Sequence, residues 1–178
     1  MLHTRRTALC FLSAATVSLV SRAVSASTTD GRRLSFEHIH TGERLTAVYR
    51  TQAGYDPGAL AEINHVLRDW RTGEVWDIDT ALLDDVCDLQ TRLGHTGPVR
   101  VISGYRSPKT NAALANKGRG VAKRSLHMQG RAIDLALPGV QTLEIRDAAL
   151  ALGRGGVGTY SRSGFVHLDT GRVRRWGR

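Results

Sequence analysis

The sequence predicts a single α+β domain, and three patterns predict it. An alternating hairpin stands early in the chain, two runs with helical spacing follow it, and the last third breaks into short apolar segments separated by glycine. At 178 residues the chain is long enough for one well-cored domain and short for two. No stretch reaches the roughly 18–20 apolar residues that a membrane-spanning helix needs.

Residues 1–26 read as an export signal. Arg5-Arg6 precede a moderately apolar run, Ala8 to Val20, and a short segment ends Ala23-Val24-Ser25-Ala26, which suits cleavage after Ala26. The arginine pair, the weak hydrophobicity and Arg22 give it a twin-arginine character. The competing reading is an N-terminal helix that stays on the domain, but residues 8–20 are apolar all round rather than striped. An exported, periplasmic or wall-associated location is expected. Past the signal, Cys87 is the only cysteine, so the fold must rest on its core or on a metal rather than on an internal disulfide.

Residues 27–33 are polar and are expected to be loose, with the domain running 34–178. Leu34–His40 and Arg44–Arg50 alternate around Thr41-Gly42-Glu43, a hairpin signal. Leu60, Ile63, Leu67 and Trp70 mark a helix that starts after Pro57 and ends before Gly73. A second helix carries Leu82, Val86, Leu89 and Leu93 and stops at Gly94. Val99–Ser103 is a strand entering the loop Gly104–Pro108, followed by a short helix over 111–116 and a glycine-rich basic loop over 117–124. Ala132–Leu137 reads as a buried strand, and Thr142–Leu152 as a helix with Leu143, Ala148 or Ala149, and Leu152 on its apolar side. Gly155–Tyr160, Gly164–Asp169 and Arg172–Trp176 have the cadence of two or three antiparallel strands, with Gly171 in a tight turn.

Three segments carry chemistry. In Ser125–Asp134, His127 sits on a loop and Asp134 on a strand; a turn at Gly130 would let both face one point, and both side chains are ordinary zinc donors. In Phe165–Asp169, His167 and Asp169 project to one face of a strand while Val166 and Leu168 fill the core. In Ser103–Pro108, a strand ends in a glycine turn presenting Tyr105 and Arg106, a hydroxyl and a planar cationic fork. Each segment alone has a plain structural alternative: surface and capping residues, a solvent-facing strand, a loop arginine that caps.

Together, SGYRSPKTN, SLHMQGRAID and GFVHLDTG resemble, in order and spacing, the LAS group of zinc metallopeptidases, which includes lysostaphin, D-Ala-D-Ala peptidases and hedgehog. The nearest likeness is to its exported murein endopeptidase K-like branch, over roughly residues 34–176. The resemblance implies a hedgehog/DD-peptidase-like fold whose small antiparallel sheet lines the metal site. It also implies one Zn2+ per chain on His127, Asp134 and His167, with Arg106 holding a substrate carboxylate or carbonyl and Ser103 and Tyr105 shaping that loop at the substrate. The activity implied is hydrolysis of murein peptide crosslinks, with peptidoglycan as partner and no integral membrane segment in the mature chain.

One departure stands out. Relatives commonly place a general base two or three residues before the last histidine, where this chain has Gly164 and Phe165. Asp169 is the substitute on the same strand face, either as base or as an orienting partner of His167; His38, His40 and His65 are further candidates. The missing base also leaves open a non-catalytic, zinc-containing wall-binding domain, and a stem-peptide carboxypeptidase is the nearest enzymatic alternative. The net charge is +9, of which Arg5, Arg6 and Arg22 supply three, leaving +6 past the signal. That charge suits an anionic sacculus; nucleic acid is not expected, because no stacking pattern accompanies the basic residues.

Overall fold

A computed structural model describes residues 31–117 and 121–177. The expected export signal, and residues 27–30 of the tail expected to be loose, lie outside the described residues.

The hairpin forms as expected from β1 (Gly31–His38) and β2 (Arg44–Thr51), paired antiparallel from Gly31 opposite Thr51 to Glu37 opposite Arg44. Residues 31–33 are not loose. Arg32 is anchored through its guanidinium to Asp88 Oδ1 (2.5 Å), the Asp84 carbonyl (2.7 Å) and Tyr49 Oη (3.0 Å), which draws this end of the chain into the strand. After the two-residue strand β3 (Gly54–Tyr55), α1 (Pro57–Val66) starts under an Asp56 cap that accepts the Ala59 N–H. It ends sooner than its apolar spacing suggests. The Leu67 carbonyl is taken by the Tyr105 N–H (2.7 Å), and the Asp69 carbonyl collects the N–H groups of Thr72 and Gly73 in a turn.

The second helix, α2 (Thr80–Leu93), stops at Gly94 as expected. β4 (Val99–Ser103) follows, then α3 (Pro108–Asn116), which starts ahead of its expected position because Ser107 Oγ caps the Thr110 N–H and Pro108 fits the first turn. The remaining elements are β5 (Ala132–Ala136), α4 (Thr142–Leu152), β6 (Gly156–Tyr160), β7 (Phe165–Asp169) and β8 (Arg174–Gly177). On α4 it is Ile145, Ala148 and Ala149 that are buried, whereas Leu143 is 45% exposed.

Among the described residues all strands join one eight-stranded sheet in the order β3-β2-β1-β4-β5-β7-β6-β8. The α+β class stands, but the sheet is larger than the small antiparallel one expected, and it is mixed. β1 runs parallel to β4, and β8 runs parallel to β6. Helices α1, α2 and α4 pack on the sheet over a core that includes Leu34, Phe36, Ile63, Leu83, Leu135 and Val166. Burial of each such side chain contributes about 1.5–3 kcal/mol. Among the described residues no helix is long and apolar enough to cross a membrane.

Strand alternation then sets the site. On β5, Ile133 and Leu135 enter the core and Asp134 faces the other way; on β7, Val166 and Leu168 enter it and His167 and Asp169 do not. β4 needs a correction to join them. Its pairing with β5 steps from Val101 opposite Leu135 to Ser103 opposite Asp134, so two residues of β4 cover one of β5. This bulge turns Ser103, which would otherwise follow Val99 and Val101 into the core, beside Asp134.

Candidate metal centre

His127 lies in a one-turn 3-10 helix, Leu126–Gln129, which closes at Gly130 (φ 67°) before β5 begins. Asp134 and His167 are direct neighbours in the β5–β7 pairing. The loop histidine and the two strand residues therefore meet. Nε2 of His127 lies 3.1 Å from Nδ1 of His167 and 3.3 Å from Oδ1 of Asp134, and the His167 Nδ1 to Asp134 Oδ1 separation is 2.9 Å. All three residues are buried.

The outer atoms decide what the inner ones can do. His127 Nδ1 is 2.7 Å from the Gly104 carbonyl, an acceptor only, so Nδ1 carries the proton and donates. His167 Nε2 likewise donates to Asp169 Oδ2 at 3.0 Å. In the neutral rings, His127 Nε2 and His167 Nδ1 both turn lone pairs toward Asp134 Oδ1. Three acceptors at one point with no donor among them is an arrangement that a cation satisfies. Ligand atoms bonded at about 2.0–2.1 Å to a tetrahedral ion stand about 3.3 Å apart, close to the separations found here. The nitrogen, nitrogen, oxygen donor set thus fits a metal such as zinc.

The site's ionisation follows the same geometry. Burial pushes the His127 imidazole down against the opposing pull of Asp134. Burial acts the same way on His167, but with no cation at the centre a proton on its Nδ1 bonds Asp134, and this bond with the one to Asp169 outweighs burial and holds the ring above the ordinary histidine value. Asp134 is held well below the usual carboxylate range: burial opposes ionisation, and the two imidazoles beside it prevail.

Asp169 is fully enclosed. Its Oδ1 accepts from Gly156 N (3.1 Å), Gly171 N (2.9 Å) and Arg174 Nη1 (2.9 Å), and its Oδ2 from His167 Nε2 and Arg174 Nη2 (2.6 Å). Burial would raise its pKa, but these donors keep it far below the usual range. Arg106 bends back on the site, giving Nε to Ser103 Oγ (2.8 Å) and Nη2 to Asp134 Oδ2. Tyr105 turns away from it. Its hydroxyl donates to Glu74 (2.7 Å) and its ring stacks on Trp76 with centroids 5.6 Å apart, leaving it outside the cleft lining.

The centre sits at the floor of an open cleft of about 630 Å³. One wall is aromatic. Tyr160 stacks on Phe165 (4.5 Å), Trp176 Nε1 donates to Tyr160 Oη (3.1 Å), and the Trp176 ring lies 5.1 Å from that of His167. Cationic groups complete the lining, Arg71, Arg106, Arg124 and Arg174, with the His40 imidazole among them. Sequence reasoning missed Arg174 and Trp176. The signal was present in the alternate glycines of Gly156-Val157-Gly158. A Cβ on Gly156 would stand 2.4 Å from Arg174 Nη1, and one on Gly158 2.6 Å from Trp176 Cε2, so these glycines clear room for those two side chains.

Fold and site together define a candidate mononuclear metal centre with three protein donors and an open approach, the class of centre that metal-dependent hydrolases use. A family model described as peptidoglycan L,D-endopeptidase MepK matches residues 26–176, and the chain belongs to that family. This is the branch its motifs resemble. The peptidoglycan L,D-endopeptidase MepK of Escherichia coli (strain K12) is 45% identical over 150 residues, which cover 84% of this chain and 82% of that protein. The protein of the same name from Shigella flexneri matches at the same level. A relative from Haemophilus influenzae, named "Probable peptidoglycan L,D-endopeptidase MepK", is 40% identical over 163 residues, 90% of this chain and 88% of the relative.

Proposed function

We propose that this chain is an exported, zinc-dependent endopeptidase that hydrolyses L,D peptide crosslinks of peptidoglycan. The observation that carries the reading is the convergence of His127 Nε2, Asp134 Oδ1 and His167 Nδ1 at the floor of a cleft, in a member of this family. The names of the relatives supply the substrate and the bond. Zinc held by these three residues would lower the pKa of a bound water and polarise the scissile carbonyl.

The chain's own residues supply the rest. The Gly104 carbonyl fixes the tautomer of His127, and Asp169 fixes that of His167. Arg174, through its two-pronged contact with Asp169, holds that carboxylate in place and keeps it ionised. Asp169 is thus a positioning residue for His167 rather than the base: its oxygens are already filled and it is a very weak proton acceptor. Arg106 takes up Oδ2 of Asp134 and leaves Oδ1 to face the two histidines. The cleft's arginines suit the carboxylates of murein stem peptides.

The test is digestion of purified crosslinked muropeptides by the wild-type protein, with mass analysis of products and metal content measured in parallel. The expected result is loss of crosslinked dimers and growth of monomers, abolished by a chelator and restored by zinc. Release of only a terminal residue would replace this reading with a carboxypeptidase. One zinc per chain with no cleavage would replace it with a wall-binding domain.

A further inference from the structure

Hydrolysis of an amide needs a group that takes a proton from the attacking water and returns it to the leaving nitrogen. Among the described residues that line the cleft, five side chains offer an imidazole or a carboxylate: His40, His127, Asp134, His167 and Asp169. Three of these turn their lone pairs on one another, and Asp169 is saturated by Gly156, Gly171, Arg174 and His167. His40 is the one that the centre does not use.

His40 is also held as a working imidazole would be. The chain after β1 runs along β4, with Ile39 N–H bonded to the Val101 carbonyl (3.1 Å), and this sets His40 beside Ile102 and Ser103 at the cleft. Its ring stacks on Trp70, with centroids 4.4 Å apart and planes at 23°. One ring nitrogen bonds the Ile102 carbonyl and is therefore the protonated one, so the other carries the lone pair. The residue itself remains exposed. Burial and the nearby Arg71 cation pull its pKa below the ordinary histidine value, so the ring is neutral at neutral pH and able to accept a proton.

Resting on the peptidase reading above, we propose that His40 is the general base and then the general acid of the hydrolysis. The water oxygen forms a bond to the scissile carbonyl carbon while its proton passes to the unprotonated nitrogen of His40, directly or through one intervening water. The C–N bond then breaks, and His40 returns the proton to the departing amine. The products are a carboxylate and an amine, and the imidazole is neutral again.

The experiment compares the full zinc-loaded protein with His40→Ala and His40→Gln on crosslinked muropeptides, with zinc content measured for each. Both variants are expected to keep one zinc per chain and a KM within about twofold, while kcat falls about 10²–10⁴-fold. Added imidazole should restore part of the His40→Ala rate and leave the wild type unaffected. An unchanged kcat, a rise in KM alone, or loss of zinc would each overturn the assignment; if His40→Ala does not fold, the near-isosteric His40→Gln decides. A wild-type protein that holds zinc and cleaves nothing would sink the peptidase reading and the assignment together. A wild type that cleaves no faster than His40→Gln would sink the assignment alone.

Discussion

Replacing Asp169 by asparagine separates a positioning role from a catalytic one, because the two roles move different measurements. The exchange preserves shape but turns one acceptor oxygen into a donor NH2. At the Oδ1 position that amide would face three donors, the N–H groups of Gly156 and Gly171 and Arg174 Nη1; at Oδ2 it would face two, His167 Nε2 and Arg174 Nη2. The second orientation costs less and sets a donor against the His167 N–H. The ring then loses the bond that fixes its tautomer and aims Nδ1 at the centre. Loss of such an orienting partner lowers metal affinity by about 10–100-fold, equivalent to about 1.4–2.7 kcal/mol. Competition titration with a chromophoric zinc chelator reads this directly, and cleavage measured at saturating zinc should recover much of the lost activity. Zinc affinity within twofold of wild type, together with a kcat reduced a hundredfold or more, would refute the reasoning and return Asp169 to the role of base.

Three further outcomes are expected. Gly158→Ala places a methyl group 2.6–2.8 Å from the Trp176 indole, so the ring must shift; stability should fall by about 1–3 kcal/mol and tryptophan emission should change, and unchanged emission and Tm would contradict the packing described. Leu135→Ala empties a fully buried position behind Asp134 and should cost about 2–5 kcal/mol in urea unfolding while the folded variant still binds zinc. Asp69 is opposed by burial but accepts hydrogen bonds from Thr110, Ser107 and Arg71, which hold it below its ordinary value. Its contribution is therefore fully present above the unfolded pKa of about 3.9 and is lost as pH falls through the lower folded one. Asp69→Asn should be less stable by about 1–3 kcal/mol at neutral pH, and its stability should decline less than that of wild type on acidification below pH ~4; parallel acid titrations would reveal the error.

The readable parts of the molecule are those where a short stretch of chain settles the outcome. Alternation alone sets His167 and Asp169 on one face, and the structure puts both opposite the core-facing Val166 and Leu168. Thr142–Leu152 is a helix over the span its pattern predicts. What escaped the sequence depends on partners far away. The helical spacing through Leu67 and Trp70 is real, and Leu67 is buried, yet the helix ends at Val66 because Tyr105 claims the Leu67 carbonyl. Residues 31–33 look polar and unattached until Arg32 meets Asp84 and Asp88. The parallel placement of β8, and with it the grip of Arg174 on Asp169, has no local signature beyond the two glycines that make room for it.

The β4 bulge has a consequence for how this chain can change over generations. Ser103 stands beside Asp134 only because one extra residue is accommodated between it and Val101. Were the strand to keep its length but pair regularly with β5, its composition would be unaltered, so a census of residues would register no damage. Yet simple alternation would resume, the serine would swing toward the apolar side, and Arg106 would lose the hydroxyl its Nε bonds. Side chains on this strand can drift one at a time within the limits of size and polarity. Its register with β5 cannot, which makes a slip of pairing here a sharper barrier to divergence than substitutions at the same positions.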